Sequence, residues 1–210
     1  MIRVLIADDH AILRRGLADI ISETEDMQVC GEAESGAQAV RLAREQRVDV
    51  VLLDITMPDR NGLDTLKQLK KEKPKLAVLM LSMHPEETYA LRAIKAGASG
   101  YLNKASAPAL LVTAIRQVAS GRRYISPAVA EALAGTIADG ADRAPHATLS
   151  DREYETMRLI ASGKTLSEIA AEMSLSPKTV SVYRARLLQK MKLKNNSELT
   201  HYALKNQLVE

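Results

Sequence analysis

The first 120 residues alternate short apolar runs with amphipathic stretches, and this alternation constrains the fold more than any other feature of the 210-residue chain. The runs are Ile2 to Ala7, Gln28 to Ala33, Val48 to Leu53, Leu76 to Leu81 and Gly100 to Leu102. Each is followed by apolar residues at three- and four-residue intervals. Beyond Gly36, for example, Ala39, Val40, Leu42 and Ala43 form one helix face while Arg41, Arg44 and Glu45 stay outside. Strand and helix taking turns in this way build a parallel sheet, here a (βα)5 pattern. Val48 to Leu53 and Leu76 to Leu81 are almost continuously apolar, as central strands covered on both faces should be. Gln28 to Ala33 is mixed and reads as an edge strand.

No strand pattern follows in the last third, which reads instead as several short helices, each with its own start signal. Ser150-x-x-Glu153 and Thr165-x-x-Glu168 fit the capping box. Ser176-Pro177 supplies an N-cap followed by proline at the first helical position, and Gly163 lies where a helix needs a left-handed terminator. The segment between the halves, with Gly121, Gly140 and Pro145, reads as a connector around one short helix, Ala128 to Leu133. The expected organisation is an α/β domain over 1–120, a linker over 121–146 and an all-α domain over 147–210, in keeping with the usual size of domains.

Charge follows the same division. Residues 1–120 carry 16 basic and 16 acidic side chains, 121–146 carry 3 and 3, and 147–210 carry 10 and 7. Within Ser176 to Lys205, Lys178, Arg184, Arg186, Lys190, Lys192, Lys194 and Lys205 face Glu198 alone, a net of +6. That is the footprint of a polyanion-binding surface, with a solvated helix face as the alternative. Cys30 is the single cysteine, so no internal disulfide forms, and the sequence has no Cys/His cluster with zinc spacing. Cys30 reads as a small buried hydrophobe. No apolar run approaches the roughly 18 residues of a membrane helix, and the expected compartment is the cytoplasm.

Ligands of an open parallel sheet bind where strands end at their carboxyl edge, and the residues at those ends are chemically coherent. Strand one ends in Asp8-Asp9, strand three in Asp54, strand four in Ser82, and strand five near Lys104. Converging carboxylates repel one another unless a divalent cation sits among them, and an oxygen-rich set suits Mg²⁺. A lysine and a hydroxyl opposite can hold a tetrahedral anion, and a carboxylate can itself be the nucleophile that forms an acyl phosphate. His10 reads as a loop residue beside the acids. An aspartyl-nucleophile phosphatase of the haloacid dehalogenase type needs a second Asp two residues after the first, where this chain has Thr56. The chain has neither GxGxxG after the first strand nor GxxxxGK[ST], so nucleotide-binding readings lack their phosphate cradle.

With these residues in place, the first 120 residues resemble a response-regulator receiver domain, and the whole chain is similar to the NarL/FixJ family. The resemblance implies a flavodoxin-like (βα)5 fold with strand order 2-1-3-4-5. It implies that Asp54 accepts phosphate from a sensor histidine kinase or a small phosphodonor. Asp9, Asp54 and the backbone carbonyl of Thr56 would bind Mg²⁺, with Asp8 acting largely through water. Lys104 would contact the phosphoryl group, Ser82 would hydrogen-bond it, and Tyr101 would be the aromatic that follows the switch. Thr56 and His84 occupy positions that tune how long the phosphate lasts. Met57-Pro58-Asp59-Arg60-Asn61-Gly62 resembles the loop after the acceptor, with Gly62 free to adopt positive φ. Asn103 and Ala105 around Lys104 depart from the family pattern only within the loop.

Leu149 to Leu199 resembles the LuxR-type helix-turn-helix, with Ser167-Glu168-Ile169-Ala170, Ser176 to Ser181 and Leu187 to Met191 in the family's order and spacing. The implied domain is an all-α four-helix DNA-binding unit. On a helix beginning at Pro177, Val180, Leu187 and Met191 form the buried stripe. The N-terminal part of that helix would enter the major groove of double-stranded DNA. Carried over residue by residue, Ser181, Val182 and Ala185 would meet base edges, with Val182 against a thymine methyl. Lys178, Thr179, Tyr183, Arg184, Arg186, Lys192 and Lys194 would meet the backbone. For Tyr183 and Arg184 the alternative is packing against the motif's first helix. The function implied is a phosphorylation-controlled transcription factor, a homodimer that uses receiver surfaces and a last helix over Ser197 to Gln207. It would be a switch and not a turnover enzyme. A receiver that docks or dimerises without phosphate is the competing reading.

Overall fold

The apolar runs pair as parallel strands in one sheet: β1 (Ile2–Ala7), β2 (Met27–Ala33), β3 (Val50–Asp54), β4 (Ala77–Ser82) and β5 (Gly100–Asn103), in the order β2-β1-β3-β4-β5. This is a computed structural model, and it describes residues 1–57, 61–83, 86–106, 108–127, 129–131, 144–206, 208 and 209, the side chains of 86–88 excepted. The chain divides into two compact units, Met1–Gly135 and Thr136–Glu210. β3 and β4 are buried along their whole length, while β2 is buried only at Met27 and Ala33 and exposes Gln28 and Glu32, in keeping with its mixed sequence. β3 starts two residues later than the apolar run suggests. Asp49 is held in the preceding turn, where its N–H donates to the Arg3 carbonyl and its carboxylate accepts from the Arg3 N–H, each at 2.9 Å.

Five helices cover the sheet: α1 (Ala11–Ser22), α2 (Gly36–Glu45), α3 (Gly62–Glu72), α4 (Glu86–Lys95) and α5 (Pro108–Ala119). Because side chains alternate across a strand, the two faces are filled separately. Val4, Ile6, Val50, Leu52, Leu79, Leu81 and Leu102 pack against Leu17 and Ile21 of α1 and Leu111, Ala114 and Ile115 of α5. The opposite set, Leu5, Val51, Leu53, Val78 and Met80, is equally buried on the face where α2, α3 and α4 pack. Each such side chain contributes roughly 1.5–3 kcal/mol of burial, which is why the strand ends can carry uncompensated charge.

After α5 the chain returns to the sheet. The Tyr124 N–H donates to the Ser99 carbonyl at 2.9 Å, and the Tyr101 N–H donates to the Tyr124 carbonyl at 3.2 Å, so Tyr124 bridges Gly100 at the outer edge of β5. Of the short helix expected over Ala128 to Leu133, residues 129–131 are helical, and 128, 132 and 133 lie outside the described residues.

Among the described residues, the second unit holds a 3-10 turn (Pro145–Thr148) and four helices: α6 (Asp151–Ala161), α7 (Leu166–Glu172), α8 (Pro177–Met191) and α9 (Asn196–Lys205). Both capping boxes form, Ser150 with Glu153 and Thr165 with Glu168, and the Ser176 hydroxyl accepts from the Thr179 N–H. Gly163 has φ +84°, as a helix terminator should. Two further left-handed positions fall on residues with side chains, Ser174 (φ 53°) between α7 and α8 and Lys192 (φ 56°) as the C-cap of α8. α9 starts at Asn196, one residue before the expected start, because Asn195 caps it by accepting from the Glu198 N–H at 2.9 Å. Gln207 lies outside the described residues.

Candidate functional site

The order of the sheet reverses direction between β1 and β3, and a ligand crevice opens at such a point beyond the carboxyl ends of the strands. Asp8 follows β1 and Asp54 is the last residue of β3, only 1% and 3% exposed respectively. Lys104, just beyond β5, reaches between them. Its Nζ lies 2.7 Å from Asp8 Oδ2 and 2.8 Å from Asp54 Oδ2, on a side chain 3% exposed. The Lys104 N–H donates to the Ser82 carbonyl at 2.8 Å, which fixes the end of β4 to the loop that carries the lysine. Ser82 is buried as the last residue of β4, and Tyr101 is fully buried in β5. The Thr56 N–H donates to Asp54 Oδ1 at 3.3 Å, while the Thr56 side chain is exposed.

Burial pushes the Asp54 carboxyl up to about 6; the Lys104 ammonium pulls against this, and the neighbouring Asp8 adds to the rise. Three carboxylates, Asp8, Asp9 and Asp54, against one ammonium leave an excess of two negative charges. Asp8 Oδ2 is buried and, although Lys104 is close, makes no hydrogen bond of acceptable angle. Ligand atoms of Asp8, Asp9, His10 and Asp54 all lie within 4.8 Å of one another. An oxygen-rich, doubly negative set with an unsatisfied buried oxygen fits a hard divalent cation, and receiver domains bind Mg²⁺ at such an acidic pocket.

Four features depart from, or were missed by, the reading of the sequence. Gly62 does not adopt positive φ; it is required by space, since a Cβ there would lie 2.0 Å from the Asp54 carbonyl oxygen and 2.8 Å from Ile55 Cα. His10 is drawn into the acid cluster, with Nδ1 3.0 Å from Asp9 Oδ1 and 3.2 Å from Asp8 Oδ1, although its ring stays largely exposed. Arg14 is buried beneath the loop, a position its charge did not suggest. Cys30 is only half buried, because β2 is the sheet edge. His84 and the Pro58-Asp59-Arg60 part of the acceptor loop lie outside the described residues.

In the helical unit, Val180, Leu187, Leu188 and Met191 bury one side of α8. Lys178, Ser181, Val182, Ala185 and Arg186 are exposed on the rest of the helix, with Lys192 and Lys194 exposed beyond its end. Thr179, Tyr183 and Arg184 are partly covered. Arg184 Nε donates to Asn196 Oδ1 at 2.6 Å, which ties it to the start of α9. Lys190 Nζ donates to Glu153 Oε2 at 2.6 Å and is thereby committed to α6. Burial acts to raise Glu153, but Lys190 and the Ser150 N–H overcome it and hold the carboxyl below its ordinary value.

Buried carboxylates at the strand ends of a five-stranded parallel sheet, carried on one chain with a helical unit that exposes a basic helix, define a phosphorylation-controlled DNA-binding regulator. Residues 4–116 match the response regulator receiver domain, and residues 147–203 match the bacterial regulatory proteins of the luxR family. The chain therefore belongs to the response regulators, in the NarL/FixJ family. It is 39% identical to the response regulator UvrY of Escherichia coli (strain K12) over 209 residues, 99% of this chain and 96% of UvrY. It is 36% identical to the response regulator GacA of Pseudomonas aeruginosa over 211 residues, 100% of this chain and 99% of GacA. Among solved structures it resembles RcsB from Salmonella enterica serovar Typhimurium bound to promoter rprA in the presence of phosphomimetic BeF3-. That match has a TM-score of 0.66 and 26% identity, covering 96% of this chain and 97% of RcsB. Among the described residues no helix is long and apolar enough to cross a membrane.

Proposed function

We propose that Asp54 is the phosphoacceptor and that its phosphorylation controls DNA binding by the helical unit. The observation that carries this reading is the Lys104 ammonium set between two buried carboxylates at the strand ends, 2.7 Å from Asp8 and 2.8 Å from Asp54. An Asp54 oxygen attacks the phosphorus of a sensor kinase phosphohistidine or a small acyl phosphate. An O–P bond forms, the bond from phosphorus to the donor breaks, and the donor leaves with the electron pair. Burial makes the Asp54 carboxylate a strong nucleophile while leaving it ionised at neutral pH. Asp8, Asp9, Asp54 and the Thr56 carbonyl would hold Mg²⁺, which supplies charge neutralisation between the incoming phosphoryl oxygens and the acids. Lys104 exchanges its hold on Asp54 Oδ2 for a phosphoryl oxygen. Ser82 donates to another, and Tyr101 behind it follows. Thr56 and His84 set the lifetime of the acyl phosphate. The chain is a switch without turnover of external substrates, and it acts in the cytoplasm.

The division of labour is 1–120 as receiver, 121–146 as linker and 147–210 as DNA-binding domain. Ser181, Val182 and Ala185 face base edges, and Lys178, Thr179, Tyr183, Arg184, Arg186, Lys192 and Lys194 serve the phosphate backbone. The partners are double-stranded DNA, a sensor histidine kinase and a second copy of this chain. Solved RcsB assemblies, one with two dimers bound to two parallel DNAs, support the dimer and the DNA. The test is intact mass and size-exclusion chromatography of wild type and Asp54→Ala after incubation with acetyl phosphate and Mg²⁺. Wild type alone should gain one phosphoryl mass and shift towards a dimer. A wild type that binds DNA equally well before and after phosphoryl gain overturns the switch in favour of a phosphate-independent docking domain.

A further inference from the structure

The geometry points to Arg14 as a positioning residue for the metal site: it clamps the backbone of the Asp8-Asp9 loop to the end of β2 and so sets the carboxylates for Mg²⁺. The inference rests on the Mg²⁺ reading above. Arg14 sits in the first turns of α1, is 8% exposed, and uses three donors on three different partners. Nη1 donates to the Asp8 carbonyl at 2.7 Å, Nε to Glu32 Oε2 at 3.0 Å, and Nη2 to Glu34 Oε1 at 2.9 Å. The anchor is itself anchored. Gln38 of α2 accepts from the Glu34 N–H at 3.0 Å and donates to the Glu32 carbonyl at 3.4 Å. On its other side the Asp8 N–H donates to the Ala33 carbonyl at 3.0 Å. The peptide flanks of Asp8 are thus held at both N–H and C=O, so the backbone that carries the two carboxylates is fixed independently of the contacts those carboxylates make with Lys104 and His10.

A cation this close to an acidic site has two opposite effects on a divalent metal. Its charge repels the ion, so deletion by that route tightens binding. Its hydrogen bonds pre-order the ligands, so deletion by that route weakens binding. The fork of three donors, two of them neutralised by Glu32 and Glu34, makes ordering the dominant effect. The sign of the change therefore separates a positioning role from a through-space charge.

The experiment is calorimetric titration of the full chain with MgCl2, for wild type, Arg14→Ala and Arg14→Lys. It is paired with the rate of phosphoryl gain from acetyl phosphate as a function of Mg²⁺. Arg14→Ala should raise the Mg²⁺ dissociation constant about tenfold, in the range seen when groups supporting metal ligands are removed. At saturating Mg²⁺ its phosphorylation rate should return to within about threefold of wild type, a split that general loosening of the fold does not produce. Arg14→Lys keeps the charge but donates from a single nitrogen, without the fork, and should fall between the two. Unchanged or tighter Mg²⁺ binding in Arg14→Ala overturns the inference. Where Arg14→Ala does not fold, Arg14→Lys decides: weaker binding than wild type supports the clamp, and wild-type affinity overturns it. A wild type that takes up no Mg²⁺ removes the metal reading itself, and the clamp with it.

Discussion

An ideal Cβ on Gly62 would stand 2.0 Å from the carbonyl oxygen of Asp54, so the first turn of α3 packs directly onto the backbone at the end of β3. The obstacle is main chain, not a side chain that can turn away, and Gly62 also donates its N–H to the Ile55 carbonyl at 2.7 Å. Gly62→Ala should therefore lower receiver stability by about 2–3 kcal/mol, the upper part of the usual range for overpacking. Gly16→Ala is the control: the position is helical with nothing within 4 Å, and the substitution should stabilise by about 0.5–1 kcal/mol. Urea unfolding of both variants checks the pair.

The raised Asp54 carboxyl makes a prediction in pH. Its pKa of about 6 in the fold lies above the ordinary 3.8, so the unfolded chain ionises first as pH rises. Folding is unpenalised below about pH 4, loses stability between the two values, and carries a penalty of about 3 kcal/mol above pH 6. In chelator at pH 7.5, Asp54→Asn should be more stable than wild type by up to that amount, and the gap should close towards pH 4. Adding Mg²⁺ should raise the melting temperature of wild type more than that of Asp54→Asn. Thermal unfolding across pH, with and without Mg²⁺, gives both readouts, and a variant less stable than wild type at pH 7.5 contradicts the burial argument.

Lys190 and Arg186 lie on the same helix and should differ on DNA. Each lysine or arginine that neutralises a phosphate adds about 0.9 to the slope of log affinity against log salt. Arg186→Ala should reduce that slope by about one, whereas Lys190→Ala should leave it near wild type, because Lys190 is held by Glu153. Fluorescence anisotropy on a duplex over a salt series separates them. Lys190→Ala should instead destabilise the helical unit, since it leaves the buried Glu153 without its cation.

Lys192 couples stability and binding in opposite directions. Its left-handed backbone costs about 1 kcal/mol relative to glycine, so Lys192→Gly should stabilise the helical unit by about that amount while weakening DNA binding. Denaturant unfolding and anisotropy on the same variant check the opposed signs.

What the sequence revealed and what it hid divide along a physical line. Strand order apart, which came by resemblance, the elements follow from local periodicity, and the caps at Ser150, Thr165 and Ser176 follow from local spacing. The acids were legible because each ends an apolar run. The hidden features are set by pairing between distant segments. Arg14 meets Glu32 and Glu34 only because β1 lies beside β2, and Glu153 meets Lys190 across 37 positions of chain. Gly62 reads locally as a turn residue, and only the approach of Asp54 shows that its lack of a side chain is what matters. Ser174 and Lys192 give no signal at all, since neither is a residue type that favours left-handed backbone.

A flat array of parallel strands ends in two rims of unpaired peptide groups, each a template on which a foreign strand can grow. Through Tyr124 this receiver has sealed one rim with its own departing chain, over Gly100 and Tyr101. Recruitment of a strand is left to β2 on the other side, where exposed Gln28 and Glu32 and a register shift between Val4 and Leu5 make the template irregular.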